Sequence, residues 1–391
     1  MDYLLTEEQV MIRDLARKIA QEKISKVAKD YDQKEEFPHE IIKVLSDSDL
    51  FRLFIPQQYG GLVELKEGKS IGGVLELCIV TEELSCACGG IAVCYAASAL
   101  GTFPIILYGN QRQKEKYLPD LASGKKLAAF ALTEPEAGSD ASAIKTTAKK
   151  EGEHYILNGT KHFITNGGEA DVYVVIAMTD KTKGPRGASA FIVEKGTPGF
   201  IFGKKEEKMG IRASVTRELI FDNCKVPSEN LLGKEGLGFI ITMKTFDVSR
   251  PGVAAQALGI AQGALNLALK YAKERQQFGK SILSFQGIQW MLADMATQIE
   301  AARSLIYSVA RMIDSGNLDV SKESAMAKLF ASDVAMRVTT DAVQIFGGYG
   351  YMRDYPIEKY MRDAKITQIY EGTNQIQRNI IALQLIKEMA R

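Results

Sequence analysis

Tyr155-Ile156-Leu157-Asn158-Gly159-Thr160-Lys161-His162-Phe163-Ile164-Thr165 decides how this chain folds. Two runs rich in β-branched and aromatic residues flank Asn158-Gly159, a strong short-range hairpin signal, so the stretch predicts two antiparallel strands around a tight turn. Further strand-forming runs follow at Asp171 to Met178, Ala188 to Val193 and Arg217 to Phe221, with turn residues such as Thr197-Pro198-Gly199 between them. Residues 125–235 therefore read as a separate antiparallel β unit, a sandwich or barrel-like domain.

On both sides the period changes from two to about 3.6. Upstream, Thr6 with Gln9 forms a capping box ahead of Val10, Ile12, Leu15, Ile19 and Ile24, and Pro38 suits the first turn of a helix carrying Ile41, Ile42, Val44 and Leu45. Ile71 to Leu107 is rich in Ala, Cys and Leu with little charge, as in helices buried on most sides. Downstream, Val253 to Tyr271 is apolar almost all round. Ile288, Met291, Met295, Ile299, Ala302, Leu305, Val309 and Met312 form one helical stripe, and a last helix after Gly372 carries Ile376, Ile380, Leu383 and Ile386. The fold class is α+β and multidomain: a helical domain over 1–124, the β domain over 125–235 and a helical bundle over 236–391.

Composition narrows the function. The 391 residues suit two or three structural units, and 49 Lys+Arg against 48 Asp+Glu leave a net charge of +1, without the electrostatic footprint of a nucleic-acid binder. The Ile91 to Leu100 run is too short to span a bilayer, so no membrane insertion is expected, and the acidic start Asp2 to Glu8 does not read as a targeting peptide; a cytoplasmic location is the default. Five cysteines form no Cys-x-x-Cys pair and read as reduced packing thiols; with only three histidines, neither a metal site nor a Ser/His/Asp triad is expected. Gly68-Lys69-Ser70 and Gly279-Lys280-Ser281 look like ends of phosphate loops, yet Val63 and Glu274 stand where that loop needs its first glycine.

Four segments could carry chemistry. Phe130 to Asp140 is a Thr/Glu/Pro/Gly/Ser-rich loop whose small residues let a ligand approach, or else a plain linker. In Tyr370-Glu371-Gly372-Thr373-Asn374-Gln375, a carboxylate among Ile and Tyr side chains is poorly solvated and drifts toward the pKa of a general base, while Thr373 opens a helix whose free amides suit an anion; Glu371 as a solvated cap is the plainer reading. Arg275 to Lys280 offers a cationic turn. Asp247 and Arg250 share one helix face, where an exposed pair contributes only a few tenths of a kcal/mol.

In this order and spacing, Phe130 to Asp140, Phe163-Ile164-Thr165, Arg275 to Gly279, Gln344 to Gly350 and Tyr370 to Thr373 resemble the signatures of the acyl-CoA dehydrogenase family, from Leu5 to the last helix. The resemblance implies an N-terminal helical domain, a middle β domain and a C-terminal four-helix bundle, with FAD extended between domains and across a subunit contact. It implies that Phe130, Leu132, Thr133 and Ser139 flank flavin and thioester, that Phe163 and Thr165 cover the other side of the ring, and that Arg275, Phe278, Gln286, Gln344, Gly347 and Gly348 hold pyrophosphate and adenosine across the contact. Thr373 and Gln375 complete the cofactor site; Ser139, Asp247, Arg250 and Gly372 are the expected contacts of the acyl-CoA.

Glu371 matches the family's catalytic base, which takes the α-proton while the β-carbon delivers hydride to flavin N5, giving a 2,3-enoyl-CoA whose electrons pass to an electron-transfer flavoprotein. Ser249 occupies the position where some members carry the base instead, and it cannot serve as one. The shared cofactor site implies a homo-oligomer, a dimer at least and a homotetramer by expectation. Alternatives are a dehydrogenase of branched or cyclic acyl-CoA, hinted at by small residues at Cys86 to Ala92 and Ala96 to Ser98 and by a long Leu62 to Gly73 loop, or an enoyl-CoA reductase using the same site in reverse. A non-catalytic acyl-CoA-binding scaffold is the bland third reading.

Overall fold

The computed structural model describes residues 3–65 and 71–390. Gly68-Lys69-Ser70 and the centre of the Leu62 to Gly73 loop lie outside the described residues. The N-terminal helices are α1 (Glu7–Ile19), α2 (Ser25–Lys34), α3 (His39–Asp47), α4 (Val74–Ala87), α5 (Gly89–Tyr108) and α6 (Gln111–Ala122), with a π-helical turn at Ala20–Ile24 between the first two. The Thr6/Gln9 capping box forms on both sides, satisfying amides that a helix start leaves free. α4 and α5 are buried almost throughout, so their apolar composition needs no amphipathic stripe.

The β domain is an eight-stranded sheet in the order β6-β7-β3-β2-β4-β5-β8, with β1 also on β4. Its strands are β1 (Ala128–Ala131), β2 (Thr147–Glu151), β3 (His154–Thr165), β4 (Val172–Met178), β5 (Ala188–Glu194), β6 (Phe200–Lys205), β7 (Thr216–Pro227) and β8 (Leu231–Leu232). Pairing is antiparallel except that β4 runs parallel to β1 and to one residue of β2. β4 is buried on both faces, which explains its unbroken apolar run.

The hairpin expected at Asn158-Gly159 is not there. β3 runs straight through both residues, and the chain reverses earlier, at Gly152 with φ +59°. Asn158-Gly159 marks a break in register against β7 between Leu157 and Gly159. A side chain on Gly159 would stand 2.5 Å from the Thr146 hydroxyl, so close approach, not turn geometry, requires this glycine. The two-residue turn with both φ angles positive occurs instead at Phe278 (+53°) and Gly279 (+76°), between β9 (Gln276–Gln277) and β10 (Lys280–Ser281).

The C-terminal helices are α7 (Gly238–Glu274), α8 (Gln286–Asp314), α9 (Ser321–Phe346), α10 (Ile357–Thr367) and α11 (Asn374–Met389). α7 packs against α4 so tightly that a Cβ on Gly259 would stand 2.1 Å from the Glu82 carbonyl oxygen. α8 ends at Asp314, whose carboxylate accepts the backbone amides of Val74 and Leu75 at 2.9 Å each and so caps α4 across the domain boundary. By length and composition α5 and α7 could cross a membrane, a longer apolar reach than Ile91 to Leu100 suggested; 83% and 78% of their apolar windows are buried inside the fold. The Ile376/Ile380/Leu383/Ile386 stripe does not face this chain's core: Leu383 is 57% and Ile386 62% exposed.

Candidate active site

Helical spacing on α7 puts Phe246, Ser249, Gly252, Val253 and Gln256 on one face, and this face forms one wall of a partly open cavity. α5 supplies Val93, Ala96, Ala97, Leu100 and Phe103; the β domain supplies Phe130, Leu132, Thr133, Phe163, Ile164 and Thr165; Tyr370 and Glu371 close it. No lysine or arginine is among the described residues lining it. The two β-domain segments, thirty residues apart, are tied where the His162 amide donates to the Thr133 carbonyl at 2.8 Å. Phe163 is 60% exposed and sits at φ +58°, a conformation that a bulky residue holds only where the surroundings enforce it.

Behind that wall lies a buried ion pair. Lys161 Nζ donates to Glu134 Oε1 at 2.7 Å and to the Leu132 carbonyl at 2.8 Å, and Glu134 also accepts the amides of Lys145 and Thr146. Burial pulls the Lys161 ammonium down to about 8 against the opposing effect of Glu134. Burial alone would raise Glu134, but Lys161 and the amide donors win and hold it below the ordinary carboxylate value. The pair was missed in the sequence, although strand alternation places Lys161 on the inward side with Tyr155 and Leu157.

Glu371 is half-buried at φ +49°, and Ser249 Oγ donates to its Oε2 at 2.6 Å. Burial raises its pKa; the Ser249 hydrogen bond, Arg250 and Lys328 oppose the rise without cancelling it. Gln377 Nε2 donates to the carbonyls of Glu371 (3.0 Å) and Gly372 (2.8 Å), and Arg250 Nε reaches the Glu371 carbonyl at 3.4 Å. Beside the carboxylate, the Tyr370 hydroxyl donates to Gln256 Oε1, whose amide nitrogen donates to the Gly89 carbonyl at 3.0 Å. Thr373 caps α11 through the Ile376 amide.

Of the residues singled out in the sequence, Phe130, Leu132, Thr133, Phe163, Thr165 and Glu371 meet at this cavity, with Gly372 and Thr373 in the adjoining loop. Asp247 and Arg250 are each only 4% exposed and do not line it. Asp247 accepts the Ser321 hydroxyl at 2.6 Å and lies 3.6 Å from Arg250, so the pair faces α9 and the Glu371 loop. Ser139 and Gln375 are exposed and outside the lining. Arg275, Gly347 and Gly348 line a second, surface cleft that shares no residue with the first, Arg275 lying over the Tyr349 ring at 5.4 Å. Phe278, Gln286 and Gln344 are exposed, and Phe278 is 92% so.

Helical layers packed on a mixed sheet, with a partly desolvated carboxylate facing an apolar pocket, are the arrangement of an enzyme whose carboxylate can serve as a general base. Models of three domains match the chain: acyl-CoA dehydrogenase, N-terminal domain, over residues 6–125, the middle domain over 129–224 and the C-terminal domain over 236–386. The chain belongs to the acyl-CoA dehydrogenase family.

Two relatives are similar over nearly their whole length. The short-chain-specific acyl-CoA dehydrogenase of Clostridium acetobutylicum is 50% identical, with 99% of this chain and 100% of the relative covered. The acryloyl-CoA reductase (NADH) of Anaerotignum propionicum is also 50% identical, covering 99% and 96%. Among solved structures, butyryl-CoA dehydrogenase from Megasphaera elsdenii matches with TM-score 0.94 and 49% identity over 99% of this chain and 100% of the other. A chain in the structure of the electron transferring flavoprotein of Acidaminococcus fermentans matches with TM-score 0.94 and 53% identity, covering 98% and 99%. An acyl-CoA dehydrogenase from Bacillus anthracis, complexed with FAD, matches with TM-score 0.90 and 36% identity over 99% of this chain and 68% of that one.

Proposed function

We propose that this protein is an FAD-dependent acyl-CoA dehydrogenase that oxidises a short acyl-CoA thioester to its 2,3-enoyl-CoA and passes the electrons to an electron-transfer flavoprotein. The observation that carries the reading is Glu371: a carboxylate whose pKa is raised by burial, held by Ser249 and open to a pocket with no lysine or arginine among its described lining residues. A carboxylate so placed is a stronger base than a solvated one, and it accepts the α-proton of a substrate whose carbonyl is polarised by fixed donors. The relatives' short-chain and butyryl-CoA names favour a short acyl group.

The residues fit a flavin dinucleotide. Phe130, Phe163, Thr133 and Thr165 offer aromatic faces and hydroxyls at the cavity, while Arg275 and two glycines, Gly347 and Gly348, with open space where a Cβ would project, offer a cation and accessible backbone at the second cleft. FAD, when bound, supplies the two-electron acceptor for the β-hydride. Leu132 and Thr133 are held in place through Lys161 and the His162 amide, so the β domain keeps the ring's surroundings fixed. Because the two clefts are separate on one chain, a second copy bringing its Arg275 cleft to the Glu371 cavity accounts for both, and the exposed Phe278, Trp290, Leu383 and Ile386 supply apolar contact surface for a homotetramer.

The acryloyl-CoA reductase relative favours a second reading, in which the same site runs in reverse and Glu371 returns the proton to the α-carbon. Both readings are tested by anaerobic addition of straight, branched and cyclic acyl-CoAs to the yellow holoenzyme. Bleaching of the visible flavin band by short straight acyl-CoAs supports the dehydrogenase; no bleaching by any acyl-CoA, and no reoxidation of reduced enzyme by any enoyl-CoA, overturns both.

A further inference from the structure

Lys328 on α9 has no exposed surface, and the chemistry above leaves it unused. Burying an ammonium costs several kcal/mol unless it is hydrogen-bonded and charge-compensated. Its Nζ donates to the Gly372 carbonyl and to Asn374 Oδ1, both at 2.9 Å. Both acceptors belong to the turn that carries Glu371. Asn374 in turn donates from Nδ2 to Ser332 Oγ at 2.9 Å and to Asp333 Oδ1 at 2.8 Å, so the turn is laced to α9 along a full helical turn.

A neutral donor could satisfy the same two acceptors without the cost of burying an ion. The charge therefore needs its own reason. Burial pulls Lys328 down to about 7, and the group opposing that fall most is Glu371; reciprocally, Lys328 helps hold Glu371 down against its burial. The other charged groups around the pair are Arg250 with Asp247 on α7, Asp333 on α9 and Arg378 on α11, the last bonded to Asp333.

We propose that Lys328 is a positioning residue for Glu371: its buried ammonium clamps the 371–374 turn by two hydrogen bonds, and its positive charge, with that of Arg250, favours the charged form of the carboxylate that this turn presents to the pocket. The inference rests on the reading of Glu371 as the base. It predicts that geometry and charge separate in different variants. Lys328→Gln keeps a donor for the Gly372 carbonyl and removes the charge; Lys328→Arg keeps the charge; Lys328→Met removes both.

The test is an infrared pH titration of the Glu371 carboxyl in the holoenzyme without substrate, its band identified by loss in Glu371→Gln. The expected result is a midpoint moved up by roughly one pH unit in Lys328→Gln, with the acid limb of flavin reduction moving in parallel at little change in KM, and a near wild-type midpoint in Lys328→Arg. A lysine that serves folding alone lowers the thermal midpoint of Lys328→Gln and leaves the titration where it was, which overturns the proposal. Should Lys328→Met fail to fold, the Gln and Arg variants decide. A shifted titration in an enzyme that no acyl-CoA reduces keeps Lys328 as the partner of the Glu371 carboxyl and overturns the reading of Glu371 as the base instead.

Discussion

The Ser249 hydroxyl on α7 donates to the Glu371 carboxylate at 2.6 Å, joining the helix that forms the pocket wall to the turn that carries the base. A hydrogen bond to the charged form lowers a carboxyl pKa, and here it works against burial. Ser249→Ala therefore raises the Glu371 pKa further. The acid limb of the flavin-reduction profile moves to higher pH by about one unit, while the rate at high pH falls less than about tenfold; rapid-mixing kinetics across pH measures both.

Stability should carry the same signature. Glu371 has a folded-state pKa above its ordinary value of 4.5, so its stabilising contribution is fully present below about 4.5 and is lost as pH rises through the folded value. Above its folded-state value the wild type carries a charged carboxylate that burial disfavours. Glu371→Gln removes that cost and is expected to raise the thermal midpoint at alkaline pH, with the advantage shrinking as pH falls toward the ordinary carboxylate range. Calorimetry at a series of pH values checks the direction.

Breaking the Lys161–Glu134 pair from either side is predicted to cost more than removing both partners together. Replacing Lys161 by Met leaves Glu134 buried with its main counter-charge gone, and the reverse holds for Glu134→Leu, so each single change costs about 3–5 kcal/mol. The Lys161→Met/Glu134→Leu double variant recovers much of that loss, yet it binds flavin less well because Leu132 loses its donor. Denaturant unfolding and flavin content of the purified variants separate the two effects.

The apolar stripe on α11 read from sequence reaches the surface of the chain, with Leu383 57% and Ile386 62% exposed. If a second copy covers it, Leu383→Glu/Ile386→Glu dissociates the assembly by light scattering and releases flavin with it. An unchanged assembly would assign that stripe to some other contact.

The block order and most helices were legible because each rests on local signals: the Thr6/Gln9 cap, the α8 stripe and the β-branched runs of β4 and β5. The Asn158-Gly159 hairpin was misread because Asn-Gly reports local permissiveness, whereas close approach to Thr146 decides why Gly159 is there. Helical periodicity on α11 gave an apolar face without saying which partner covers it. At the site, Glu371 was visible beside apolar neighbours in sequence. Lys328 was not, because a lysine between Ala327 and Leu329 looks like any solvated helix residue until α9 is seen to pass behind the turn 44 residues later. Likewise Asp247 and Arg250 show as a helical pair from spacing, and only packing reveals that they face inward.

Glu371 is proposed to take the α-proton of an acyl-CoA. Anaerobic rapid mixing of butyryl-CoA with flavin-loaded wild type and Glu371→Gln tests it most directly, because the amide keeps the shape and loses the base. The wild-type flavin band should bleach, and the Gln variant, with flavin still bound, should bleach at least about 10³-fold more slowly. Bleaching of the Gln variant within about tenfold of the wild-type rate would mean that another group takes the proton.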